Sequence, residues 1–233
     1  MAYEKKTFPS GQVHEGEFEN GQLVEGKVTF PDGQVWEGEF ENGHIIKGKM
    51  IHPSGEVHEG EWSNSPYVVE RKSVDWEGQT HTRMVHEKWF NGKMTFPDGH
   101  TREGEFVDGR LRNGKITNLD GTSHEGKWRY DSLNSGVWLV EGKIIRGNGV
   151  ILEGEFVRHN LIKGKATLPP TEEYPDGQVH EGEFENGTLL KGKKIIPDGE
   201  VREGEWKDGM FFKGISITPD GEITEVDNSW LFE

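Results

Sequence analysis

Residues 13–34 read VHEGEFENGQLVEGKVTFPDGQ. The phrase returns as VWEGEFENGHIIKGKMIHPSGE over residues 35–56 and as VHEGEFENGTLLKGKKIIPDGE over residues 179–200. A fixed period of 22 residues builds a fold by stacking copies of one small unit, not by closing one globular core. Aligned on its closing glycine, the unit recurs at Gly26, Gly48, Gly92, Gly114, Gly142, Gly164, Gly192 and Gly214, in steps of 22, 44, 22, 28, 22, 28 and 22. The step of 44 implies a degenerate copy at about 65–92, centred on Glu70, and each step of 28 implies six inserted residues. Glycine spacing places the insertions at about 129–138, in RYDSLNSGVW, and at about 169–175, in ATLPPTEEYPDG. They lengthen different turns of the unit and are expected to project from opposite edges of a sheet. Nine copies then fill residues 7–226, after a lead-in at 1–6 and before a tail at 227–233.

Each unit holds two turn signals. Pro31-Asp32-Gly33 and its relatives end at a glycine in every copy, and Asn20-Gly21, Asn42-Gly43, Asp108-Gly109, Asn186-Gly187 and Asp208-Gly209 mark the other turn. Proline presets φ, aspartate tolerates the next position, and glycine takes the left-handed one. Between turns the residues alternate with period two, the mark of a half-buried strand. The unit is a β-hairpin. The array is all-β, an elongated, twisted, single-layer antiparallel meander of about eighteen short strands.

Register follows from side-chain parity, because paired strands share faces. A two-residue loop at Asn20-Gly21 sets Phe18 opposite Leu23 and Gly16 opposite Glu25; a three-residue loop with a bulged glycine sets Phe18 opposite Val24 and Gly16 opposite Gly26. The second choice agrees with Pro31-Asp32-Gly33, where the same rule pairs Val28 with Trp36 and Gly26 with Gly38. One face then carries a column through Phe18, Phe40, Trp62, Met84, Phe106, Trp128, Phe156, Phe184 and Trp206. Beside it runs a second column through Val24, Ile46, Val68, Phe90, Val140, Ile162, Leu190 and Phe212, broken by Arg112. The glycines between them leave room for rings over the backbone. On the other face Lys27 sits between Glu15 and Glu37, and the alternation continues along the chain. A second acidic row through Glu17, Glu39, Glu61, Glu105, Glu155, Glu183 and Glu205 is expected to lack regular cations.

Composition narrows the function. A formal net charge of −15 disfavours nucleic acid and anionic membrane as direct partners, since both are negative. No cysteine is present, which removes disulfides and thiolate metal sites. The opening MAYEKKTFPSG lacks the apolar run of a signal peptide, and no apolar stretch reaches membrane-spanning length. The expectation is a soluble intracellular protein.

The stretch Glu15-Gly16-Glu17-Phe18-Glu19-Asn20-Gly21, followed by Pro31-Asp32-Gly33, resembles the MORN repeat (membrane occupation and recognition nexus), and the likeness covers nearly the whole chain. It departs from that pattern in two respects. The leading tyrosine is replaced by His14, Trp36, His58, Arg102, His124, Leu152, His180 or Arg202, and a closing Gly-x-Gly becomes Gly-Lys. The resemblance implies a sheet that binds protein segments or self-associates, as in ciliary, cytoskeletal, junctional and parasite scaffolds. Where such repeats accompany an enzyme, a separate domain carries the catalysis, and this chain has no room for one.

Catalytic readings are weak. Paired carboxylates such as Glu15 and Glu17 recur in nearly every copy, whereas an active site occurs once. His14, His58, His124 and His180 share a column but stand about 10 Å apart per repeat on strand spacing, too far to share a metal. No catalytic, cofactor or metal residue is assigned, and no cofactor is expected.

Partner-binding candidates fall into three groups. On the aromatic face they are Trp36, Phe40, Trp62, Trp128, Trp206 and Phe212. In the degenerate copy Arg71, Trp76, His81, Arg83, Trp89 and Phe90 form a basic, aromatic spot in an acidic sheet. Trp138 lies in the first insertion. The tail Trp230-Leu231-Phe232 is expected to cap the last strand. The expected function is a non-enzymatic scaffold, a subunit of a larger assembly or a homodimer, with partner segments on the aromatic face. The alternative is a carbohydrate- or peptide-binding protein, or a hydrolase, that uses the aromatic groove.

Overall fold

The computed structural model describes residues 2–63, 67–74, 80–87, 89–130 and 137–232, with the backbone alone at 67–74, 80–87, 89 and 231–232. Every period-two segment between turn signals is a strand, and the chain divides into two compact units, Met1–Leu119 and Asp120–Glu233. The first unit holds β1 (Ala2–Thr7), β2 (Val13–Glu19), β3 (Gln22–Thr29), β4 (Val35–Glu41), β5 (His44–Ile51), β6 (Val57–Trp62), β7 (Tyr67–Val74), β8 (Thr80–Glu87), β9 (Trp89–Thr95), β10 (Thr101–Val107) and β11 (Arg110–Thr117). The second holds β12 (Ser123–Tyr130), β13 (Val137–Ile145), β14 (Ile151–Val157), β15 (Asn160–Leu168), β16 (Gln178–Glu185), β17 (Thr188–Ile195), β18 (Val201–Lys207), β19 (Met210–Ile217) and β20 (Ile223–Asp227). Eighteen strands belong to an open antiparallel sheet. The expected all-β hairpin meander is what the chain forms.

The eighteen are not the eighteen that the 22-residue alignment implies. β6 pairs directly with β9, Gly60 opposite Gly92 and Trp62 opposite Phe90. β7 and β8 pair only with each other, Val68 opposite His86 and Glu70 opposite Met84. The β7–β8 hairpin of the degenerate copy therefore contributes no rung to the large sheet, and Val68 and Met84 leave the columns assigned to them. Their segment has lost the Gly-centred pattern of the other strands, and that pattern is what fits a strand to its neighbours here. The two places are taken by β1, which pairs with β2, and β20, which pairs with β19.

The two turns differ. At Pro31-Asp32-Gly33 the Phe30 amide donates to the Gln34 carbonyl at 2.9 Å and the Gly33 amide to the Phe30 carbonyl at 3.0 Å, while the Asp32 carboxylate accepts the Gln34 amide at 2.9 Å. That is the expected three-residue loop, and it pairs Val28 with Trp36 and Gly26 with Gly38. At Asn20-Gly21 both residues take positive φ, 50° and 82°, the two-residue type I′ turn whose twist matches that of the strands. The ladder then slips between Glu17 and Phe18, so Phe18 faces Leu23 while Gly16 still faces Gly26, and Val24 is the extra residue of a bulge. The two loop rules are satisfied together: a short turn followed by a bulge.

This bulge corrects the second apolar column. Leu23, Ile45, Leu111, Leu139, Leu161, Leu189 and Phe211 are the buried partners of the aromatic column. Val24, Ile46, Val140 and Phe212 are half-buried, and Ile162 and Leu190 are 39% and 47% exposed. Arg112 no longer interrupts anything, because Leu111 beside it is wholly buried. Phe90 keeps its place in the core since β9 pairs with β6 and β10 without a shift, setting Trp62, Phe90 and Phe106 in one line.

The paired glycines are a backbone requirement as well as a gap for rings. Gly16 and Gly26 hold φ of 152° and 150°, a region essentially reserved for glycine. A Cβ on Gly16 would collide with the Glu25 carbonyl and the Gly26 Cα, and one on Gly26 would collide with the Glu15 carbonyl and the Gly16 Cα. The edge strands show where the requirement ends. Glu4 stands opposite Gly16 and Val226 opposite Gly214, each across the Pro-Asp-Gly type of turn, where the strands leave room for a Cβ.

Candidate functional site

The two faces of each unit use different chemistry. On the polar face of the first unit the ladder runs Lys5, Glu15, Lys27, Glu37, Lys49, Glu59, Lys93, Glu103, Lys115, with strict alternation of charge across paired strands. In the second unit it runs Glu125, Lys143, Glu153, Lys165, Glu181, Lys193, Glu203, and ends at Ile215. Ion pairs close at 3.0 Å for Lys5–Glu15 and Lys27–Glu37, at 3.1 Å for Lys143–Glu153 and at 3.4 Å for Lys193–Glu203. Each is solvent-exposed and contributes about 0.2–1 kcal/mol, but a slipped register would set like charges side by side.

The second acidic row behaves differently from expectation. In the second unit it contains Lys127, Lys163, Lys191 and Lys213 between its carboxylates, with Lys127–Glu141 at 2.7 Å and Lys213–Asp227 at 3.2 Å. The expected register already placed them there, since Gly182 opposite Gly192 sets Lys191 opposite Glu183. The first unit has lysine there at Lys47, paired with Glu61 at 3.3 Å, and its Glu17, Glu25 and Glu39 are adjacent carboxylates on successive strands.

The opposite face is apolar. In the first unit Phe18, Leu23, Val28, Phe40 and Ile45 form a buried cluster, with Phe30, Trp36, Met50 and Trp62 packed against it. Of the candidates, Phe40, Phe90, Trp128 and Trp206 are buried. Trp36, Trp62, Trp138 and Phe212 are half-buried and present part of their rings to solvent. Trp206 is held by its indole N–H, which donates to the Gly192 carbonyl at 3.3 Å. Trp138 lies edge-on to His159, with ring centres 6.5 Å apart. The side chains of Arg71, His81, Arg83 and Trp89, and all of Trp76, lie outside the described residues.

Among the described residues, two depressions bear on the faces described above, one in each unit. The first lies on the charged face over β1–β3, between Tyr3, Glu15, Glu17, Glu25 and Lys27, where Lys5 and the Tyr3 hydroxyl already engage Glu15. The second is a cavity of 340 Å³ in the apolar face of the second unit, lined by Leu152, Leu161, Ala166, Phe184, Leu189 and Trp206, with Arg146, His180 and Lys194 among its polar groups. Burial lowers the His180 pKa to about 4, with help from Lys194, so the imidazole is neutral at pH 7. Burial, and then Arg202, lowers the Lys194 pKa. None of Arg146, His180 and Lys194 was singled out for partner binding from the sequence. The signal available was the row two residues from the central glycines, which turns from Ile144, Leu152 and Ala166 to His180, Lys194 and Arg202 along neighbouring strands.

In the tail, the side chains of Leu231 and Phe232 lie outside the described residues. The Asn228 amide donates to the Phe212 carbonyl at 2.8 Å and its side chain to the Phe211 carbonyl at 2.9 Å, which ties the chain to β19, while Trp230 is 67% exposed.

The MORN repeat matches at residues 14–35, 91–101 and 203–211. No curated protein matches the chain. MORN repeats are in general non-enzymatic modules of protein or membrane interaction. The matched segments carry the same strand, turn and central-glycine pattern as the copies around them, and the three matches support reading the chain as a MORN-repeat protein.

Proposed function

We propose that the chain is a non-enzymatic protein-interaction scaffold, a structural subunit of a larger assembly, which receives partner segments on its aromatic and glycine face. The contrast between the faces carries this reading. The charge ladder of the polar face alternates sign strand by strand. Among the described residues the apolar rows are covered by one another, with Trp36, Trp62, Trp138 and Phe212 left half-buried. Apolar surface of this kind is a common mark of an interaction site. The carboxylates of the ladder sit in one repeated environment, and catalysis needs a singular one.

Light scattering combined with purification from the native source tests the proposal. The expected result is a particle heavier than one chain, containing a partner protein or a second copy. A clean monomer that holds only a small ligand in the groove would contradict it.

A further inference from the structure

The row of side chains two residues from the central glycines fills the apolar face in most copies. Val28, Trp36, Met50 and Met94 do so in the first unit, and Ile144 and Leu152 in the second. On β15 the row is reduced to Ala166, a single methyl group at the floor of the 340 Å³ cavity. The missing side chain leaves a notch of the size that takes one large apolar group, walled by Leu161, Phe184, Leu189 and Trp206.

The rim of this notch is cationic. Arg146 and Lys194 both line it, and neither has an ion pair among the described residues. The Lys194 ammonium lies 5.0 Å from the Tyr174 ring centre and 6.0 Å from that of Trp206. Glu173, which attracts Lys194 weakly, is itself hydrogen-bonded to Tyr174. The neighbouring Arg202 is taken by Glu200, at 2.7 and 3.2 Å, and Glu200 also accepts the Ser216 hydroxyl at 2.7 Å. Lys194 is half-buried and Arg146 exposed, and a half-buried cation without an ion-pair partner costs free energy. In a chain of net charge −15, two cations beside one apolar notch are complementary to an anionic guest.

We propose that this notch docks a partner protein segment that inserts one apolar side chain and sets carboxylates against Arg146 and Lys194. The inference rests on the scaffold reading and gives it a place and a partner chemistry. A peptide suits the site better than an acyl chain. Asn160 and Thr188 also line the depression and offer polar groups to a main chain, which an acyl chain would leave unpaired.

Selection of a random dodecapeptide phage library on the immobilised full chain provides the test. The expected peptides combine Leu, Ile, Met or Phe with adjacent Asp or Glu. Ala166→Leu, which fills the notch, and the double change Arg146→Glu with Lys194→Glu each reduce their retention at least ten-fold. Lys163→Glu, on the polar face, leaves retention unchanged. Leucine already stands in this row at Leu152, so the first variant is accommodated, and an unchanged far-UV spectrum checks its fold. Peptides without acidic bias, or retained equally by Ala166→Leu, overturn the pocket. If they are instead lost on changing Trp36 or Trp62, the scaffold reading survives. No enrichment at all overturns the pocket and leaves the scaffold reading to the co-purification result.

Discussion

A single missing atom type, the glycine Cβ, sets what each central strand position tolerates. Gly182 combines a φ of 148° with a Cβ direction that runs into the Lys191 carbonyl, whereas Gly187, in the turn, has a φ of 83° and open space around it. Gly182→Ala is therefore expected to cost about 3 kcal/mol or more, and Gly187→Ala about 1 kcal/mol, since backbone strain of this kind runs at ~1–3 kcal/mol before any clash is added. Urea unfolding of the two variants measures the difference, and equal losses would contradict the account. His180 gives a second test. Its pKa is about 4 in the folded chain against about 6.5 in an unfolded one. The unfolded chain thus takes up a proton first, so the stabilisation is full above pH 6.5 and is lost as pH falls from there towards 4. Allowing for partial solvent screening, the loss is on the order of 1–2 kcal/mol. His180→Gln should flatten the pH dependence of the unfolding midpoint between pH 7 and pH 5, and an unchanged slope would rule the residue out.

The hairpin is the next level, and its two turns differ in how far the sequence discloses them. Proline, aspartate and glycine each have one place in the Pro31-Asp32-Gly33 loop, so that register was legible from residue type alone. At Asn20-Gly21 two loop rules compete, and residue types do not say that a bulge at Val24 lets both hold. Arg112 was the available clue. A cation inside an apolar column marks a column drawn one residue out, and Leu23, Ile45, Leu111 and Leu189 were always apolar beside it. The ladder of charges is the other device at this scale. Lys27→Glu would line up three carboxylates with Glu15 and Glu37. A loss of about 1 kcal/mol at low salt is expected, shrinking as salt is added. A loss independent of ionic strength would mean that packing, not charge, is responsible.

At the level of the whole molecule, the period of 22 disclosed the fold class and the number of strands but put β7 and β8 in the sheet in place of β1 and β20. Counting glycines gave β7 and β8 a place because the spacing allowed one, whereas the hydrogen-bond ladder passes from β6 to β9. Replacing residues 64–88 by Asn-Gly, to join Ser63 to Trp89 by a short turn, should therefore leave a cooperatively unfolding sheet protein. Loss of folding would show that the hairpin is structurally required. The same variant reports on Arg71, Trp76, His81 and Arg83 as partner contacts, since binding that survives it does not need them. The aromatic column was legible from alternation. The notch at Ala166 was not, because a small residue in one row signifies nothing until the strands beside it are known. The most direct test of the scaffold claim uses a photo-cross-linking amino acid placed in turn at Trp36, Trp62, Lys27 and Lys193, followed by identification of the captured chains. The account predicts cross-links to a partner protein or a second copy from Trp36 and Trp62, and few from the two lysine positions. Capture from the lysine positions alone would contradict it.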